Sequence, residues 1–205
     1  MKIAIVNYGM GNLTSVKNAL SFNGVPSEIV QDPAQLKNYD KIILPGVGAF
    51  GPAIKNLEAS GMKDAMLEEV IQKQKPFLGL CLGMQLLFSD SDEHGVHLGL
   101  NWVNGHVKSL EKLSPGLRVP HVGWNDVTPA GNSLLLKNIP VREMVFYFVH
   151  SYACFCDDQG LAKGKVDHGV TFDVIVEKEN IYGCQFHPEK SQKAGLHILK
   201  NFAAL

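Results

Sequence analysis

The chain has 205 residues, of which 45 % are hydrophobic and 19 % charged, and its formal net charge is −1. These values describe a globular protein able to bury a sizeable core, with no repeat or low-complexity tract. The near-neutral total leaves no electrostatic footprint for nucleic acid or an anionic membrane surface, so neither is expected as a partner.

The first apolar stretch, Ile3–Val6, is far too short for a signal-peptide core, and no segment approaches the ~18 apolar residues of a membrane span. A cytoplasmic chain with reduced thiols is therefore expected. Lys2–Asn7 reads as a buried strand, and Asn12 stands where it could cap a helix with Leu13, Val16 and Leu20 on one face. Pro26–Val30 and Lys41–Leu44 read as further strands. One or two helices follow between Phe50 and Lys73, broken near Ser60-Gly61, then a strand at Pro76–Leu80 and an apolar helical run at Met84–Phe88. Strands alternating with helices imply a mostly parallel sheet covered on both faces.

Beyond about Val103 the segments are shorter and strand-like: Gly105–Leu110, His121–Val127, Met144–Val149, Thr171–Glu177 and Ile181–Phe186. Glu177–Asn180 looks like a hairpin connection, and Gln192–Phe202 closes the chain as a helix with Leu196, Leu199 and Phe202 at contact spacing. The expectation is a single α/β domain over residues 1–205, with a mostly parallel central sheet flanked by helices and an antiparallel extension in the C-terminal half.

Of the cysteines Cys81, Cys154, Cys156 and Cys184, the pair two residues apart is poorly placed for a relaxed disulfide. One reactive cysteine among inert ones is the better expectation. Cys81 lies in Gly79-Leu80-Cys81-Leu82-Gly83, the cysteine form of the G-x-S-x-G nucleophile elbow, after a strand and before a helical run. Such a turn places the sulfur at a helix N-terminus, which favours thiolate, and offers the Leu82 N–H to an oxyanion. The competing reading is a structural cysteine between chance glycines.

His187-Pro188-Glu189 follows the Ile181–Phe186 strand. Residues two apart in extended chain face the same side, so Glu189 can orient the His187 imidazole for work on a thiol. Taken alone, the tripeptide reads more readily as a surface turn with a salt-bridging Glu189. Gly46-x-Gly48-x-x-Gly51 matches a dinucleotide fingerprint in spacing, but it lacks an acidic residue at a strand end about twenty positions on. A loop presenting the N–H groups near Val47 to an oxyanion fits the elbow better. His94-x-x-His97 has no second ligand pair beside it, so no metal is expected.

Together these motifs resemble the class I glutamine amidotransferases, whose Cys, His and Glu fall in the chain order Cys81, His187, Glu189. Within that family, Asn7–Leu13, Pro45–Phe50, Cys81–Phe88, Pro120–Asn125, Phe148–Tyr152 and His187–Ser191 look like the glutaminase subunits of imidazole glycerol phosphate synthase. The resemblance implies hydrolysis of glutamine to glutamate and ammonia, without a cofactor. By the same resemblance, the ammonia would pass to a cyclase subunit that makes imidazole glycerol phosphate and AICAR in histidine biosynthesis. It implies an oxyanion hole at Val47 and Leu82, and a glutamine site built from Gly48, Gln85, Glu93, Ser151 and Tyr152. Asn12, Tyr147 and Lys190 would face the cyclase in a heterodimer. A glutaminase of another pathway, a cysteine hydrolase of different substrate and an inactive interaction module remain as alternatives.

Overall fold

The computed structural model describes residues 1–205. Its first half runs β1 (Ile3–Val6), α1 (Leu13–Phe22), β2 (Ser27–Val30), β3 (Lys41–Gly46), α2 (Phe50–Ala59), α3 (Met62–Met66), β4 (Phe77–Cys81) and α4 (Leu82–Gln85). Next come β5 (Asp90–Ser91), β6 (His97–Leu98), β7 (Gly105–Ser109), α5 (Leu110–Leu113), β8 (His121–Asp126) and β9 (Thr128–Pro129). The chain closes with β10 (Val145–His150), β11 (Tyr152–Cys156), β12 (Ala162–Asp167), β13 (Thr171–Lys178), β14 (Ile181–Cys184) and α6 (Gln192–Ala204).

The parallel block is ordered β2-β1-β3-β4-β14. From β14 the same sheet continues antiparallel through β13, β11 and β7. The hairpin between β13 and β14, with Lys178 opposite Ile181, joins the two regimes where the sequence suggested a turn. Strands β1, β3, β4 and β14 are buried at every residue, as strands covered on both faces must be. Side chains alternate between the two faces: Ala4 and Val6 pack under α2 and α3, while Ile3 and Ile5 pack with α1 and α6. A separate antiparallel pair, β8 with β10, carries Trp124 opposite Tyr147 and Val122 opposite Val149. No helix is long and apolar enough to cross a membrane.

Three local expectations are corrected. Asn12 occupies the position before α1, but its side chain makes no capping hydrogen bond. The helical run Met84–Phe88 shrinks to the single turn α4, because the carbonyls of Leu86, Leu87 and Phe88 accept from Leu100, Trp102 and Asn101 instead of from a continuing helix. Strands β11 and β12 escaped the sequence reading. In β12 the sequence Ala-Lys-Gly-Lys-Val-Asp buries only its small or apolar positions, so no apolar run marks it. The four cysteines are free and buried.

Candidate active site

The sequence ends β4 at Cys81 and starts α4 at the next residue, so the turn between them has no slack. Cys81 sits at φ 53, ψ −109, a conformation that costs an L-residue roughly 1–3 kcal/mol. The flanking glycines are required by close approach. A Cβ on Gly79 would lie 2.4 Å from the Gly83 carbonyl oxygen, and one on Gly83 would lie 1.9 Å from that of Leu44. The elbow is thus pressed against β3, and the pairing of Gly46 with Cys81 brings the Val47 loop alongside the sulfur.

His187 is extended, at φ −99 and ψ 94, as a residue before proline prefers. Its Nδ1 donates to Glu189 Oε1 at 2.9 Å, and both side chains are almost wholly buried. That bond leaves Nε2 as the nitrogen free to exchange a proton. Nε2 has no partner in hydrogen-bonding geometry, a looseness common at catalytic contacts before substrate arrives. Burial lowers the His187 pKa, but Cys81 and Glu189 together outweigh it and push the value up to about 10. The helix behind Cys81 is a single turn, so its dipole lends the sulfur less support than a full helix would.

Cys81 and His187 open onto a cavity of about 650 Å³. Its wall also contains Val47, Gly48, Leu82, Gln85, Glu93, Ser151 and Tyr152, nine of the thirteen residues singled out from the sequence when Cys81 and His187 are counted. Glu189 stands behind His187, off the cavity. Asn12, Tyr147 and Lys190 are elsewhere: Asn12 borders a small void with Glu189 and His187, and Lys190 Nζ lies 5.7 Å above the Tyr147 ring. Ser109, Glu111 and His150 line the cavity without having been anticipated. Gln185, whose Nε2 lies 3.7 Å from Cys81 Sγ, was also missed. The available signal was a lone amide in the apolar run Ile181–Phe186, two residues before His187 and so on its side of the strand.

Two wall residues are already committed to the scaffold. Gln85 Nε2 donates to the Tyr152 carbonyl and to Gln185 Oε1, both at 3.0 Å. Glu93 Oε2 accepts from Phe50 N at 2.7 Å and so neutralises the start of α2. This contact removes the dinucleotide alternative physically, since a carboxylate holds the helix N-terminus where a pyrophosphate would sit. The His94/His97 pair is split, with His94 on the cavity and the His97 ring packed against Gly51.

His150 belongs to a buried chain in which His121 Nδ1 and His150 Nε2 are 2.9 Å apart and His150 Nδ1 donates to the Tyr152 carbonyl. Burial pushes His150 down to about 3 and His121 to about 4. A folded-state pKa below the unfolded value means stability that is complete above about pH 6.5 and lost as pH falls. We expect His150 alone to remove on the order of 3 kcal/mol between pH 6.5 and 4. Urea unfolding across that window checks it: His150→Gln should flatten the slope by about one proton, and an unchanged slope would refute the assignment.

A cysteine on a strained elbow, a histidine held by a buried glutamate and a shared cavity make an acyl-transfer site. Residues 4–205 match the family described as "Glutamine amidotransferase class-I". The chain belongs to the class-I glutamine amidotransferase family. Curated relatives agree along nearly the whole length. The chain is 45 % identical over 203 residues to the imidazole glycerol phosphate synthase subunit HisH of Moorella thermoacetica, covering 99 % of this chain and 94 % of the relative. The protein of that name from Sulfurimonas denitrificans is 46 % identical, with 98 % and 96 % covered. The one from Aquifex aeolicus is 43 % identical, with 98 % and 96 % covered. Among solved structures, a glutamine amidotransferase superposes with a TM-score of 0.72 at 19 % identity, over 98 % of this chain and 99 % of that one. A PurLQS structure from Thermotoga maritima superposes with a TM-score of 0.73 at 17 % identity, over 98 % of this chain and 96 % of that one. At that identity the likeness speaks to the amidotransferase fold alone.

Proposed function

We propose that this chain is the glutaminase subunit of an imidazole glycerol phosphate synthase, supplying ammonia from glutamine to a cyclase subunit in histidine biosynthesis. The observation that carries the reading is Cys81 and His187 meeting on one cavity, with Glu189 buried behind the imidazole, in a chain more than 40 % identical to such subunits. Cys81 attacks the side-chain carboxamide, and backbone N–H groups of Leu82 and the Val47 loop receive the developing oxyanion. His187 protonates the departing nitrogen, and water then hydrolyses the thioester to glutamate. Gly48, Gln85, Glu93, Ser151 and Tyr152 hold the amino-acid end, with Glu93 supplying the negative charge that an ammonium group requires. One domain over residues 1–205 carries all of these parts.

The cyclase would dock on the β8–β10 face. Trp124, Val122 and Val149 are 48 %, 54 % and 37 % exposed there, an apolar patch beside Tyr147 and Lys190. Asn12, just ahead of α1, would join this docking face. The cytoplasm is the compartment such a pathway requires.

Glutamine hydrolysed with no acceptor waiting is wasted, so turnover should depend on the partner. Gly48, at φ +110, gives the Val47 loop backbone angles that other residues resist. We expect little glutamate release from the chain alone, and cyclase with its ligand should raise kcat far more than it lowers KM. That pattern marks an interaction made mainly in the transition state. Kinetics on the chain alone, with cyclase, and with cyclase plus ligand decide the matter; equal kcat in all three would rule the loop out as the point of control.

A further inference from the structure

We infer that Gln185 is a catalytic residue of this site, donating a hydrogen bond from Nε2 to the Cys81 sulfur and holding it as thiolate. The inference rests on the reading of Cys81 as nucleophile and adds a group that none of its motifs contains. Gln185 is completely buried, and its amide cannot be turned around without cost. Its Oε1 accepts from Gln85 Nε2 at 3.0 Å and from Cys154 Sγ at 3.7 Å. Both of those partners are donors, so the oxygen belongs on their side and the NH₂ group must face Cys81 Sγ, 3.7 Å away. The sulfur therefore meets a fixed N–H donor, whereas His187 Nε2, on the same cavity, has no partner in hydrogen-bonding geometry.

The donor is held from behind as well. Gln85 spends one Nε2 hydrogen on Gln185 and the other on the Tyr152 carbonyl, which also accepts from His150 Nδ1. A buried amide with its oxygen doubly satisfied and its N–H aimed at sulfur is a preorganised donor: it favours a charged acceptor over a neutral thiol. In the reaction, proton transfer from Cys81 to His187 leaves negative charge on sulfur, and the Gln185 N–H is already in place to receive it. When the sulfur bonds to the substrate carbonyl carbon, that charge moves to the oxyanion and the Gln185 contact weakens. Gln185 thus stabilises the thiolate both before attack and after the thioester is hydrolysed.

The test reads Cys81 directly and needs no glutamine. The rate of Cys81 alkylation by iodoacetamide is followed from acid to alkaline pH by peptide mass mapping in wild type, Gln185→Met and Gln185→Asn. Met keeps the volume and removes the donor; Asn keeps an amide in the buried network but is too short to reach. The other titratable groups near the sulfur, Tyr8, Cys154, Cys184, His187 and Glu189, are the same in all three proteins. The alkylation midpoint is expected to rise by about one pH unit in both variants, a tenfold fall in thiolate fraction at a pH below it. A midpoint equal to wild type in either folded variant overturns the inference, and Asn alone decides if Met does not fold. Glutaminase assays on wild type with cyclase report separately on the proposed function: failure there with a shifted midpoint here would leave the Gln185 contact standing and the substrate wrong.

Discussion

Cys81→Ala should reduce glutamine hydrolysis by at least about a thousandfold while leaving the fold intact, since removing a nucleophile typically costs that much or more. The structure adds a second, opposite expectation for stability. Cys81 holds φ 53 and ψ −109, a conformation that L-residues rarely adopt. Alanine inherits that strain, whereas glycine escapes it. Cys81→Gly should therefore be equally inactive but more stable than Cys81→Ala by about 1 kcal/mol, as urea unfolding can measure. Glutamate release above about a hundredth of the wild-type rate in either variant would remove Cys81 as nucleophile. Equal stability of the two would show that the elbow stores no strain worth relieving.

Much of this site could be read from the chain because its parts are local in sequence. Gly79–Gly83 carries its own strand, turn and helix start, and His187 with Glu189 are neighbours whose shared facing follows from extended geometry. Their meeting is a long-range fact. It arises because β14 pairs in parallel with β4, register Cys184 to Leu80, which sets His187 just beyond the strand end that bears Cys81. Apolar periodicity makes both strands visible but does not say that they are neighbours.

Gln185 and the scaffold contact of Glu93 escaped for a different reason. The role of Gln185 depends on three partners from distant segments, Gln85, Cys154 and Cys81. Glu93, expected from the resemblance to contact glutamine, accepts from Phe50 N at the start of α2. A buried polar residue is defined by who satisfies it, and that information is tertiary. The shortened α4 has the same origin: propensity favours continuing the helix over Leu86–Phe88, but the Leu100–Trp102 segment claims those carbonyls.

Gly83→Ala should be among the most damaging small substitutions in the chain, although φ is not positive there and alanine suits a helix. The new Cβ would stand 1.9 Å from the Leu44 carbonyl oxygen and 3.0 Å from its carbon, and these are backbone atoms of β3 that cannot swing aside as a side-chain tip can. The collision must be relieved by moving the elbow away from β3, at a cost of about 3 kcal/mol, the upper end of overpacking. Gly24→Ala provides the contrast: its φ is +70, but nothing lies within 4 Å of the added carbon, so only conformational strain of about 1 kcal/mol is expected. The movement in Gly83→Ala has a catalytic consequence that loss of stability alone would not produce. Leu44 pairs with Gly79 and Gly46 with Cys81, so parting the strands carries the Val47 loop away from the sulfur and would withdraw the oxyanion donor proposed for it. Assayed with cyclase at a temperature where the variant remains folded, kcat should still fall by ~10²-fold or more, with KM much less affected. Wild-type kcat in folded Gly83→Ala would mean that the contact between β3 and the elbow is structural alone.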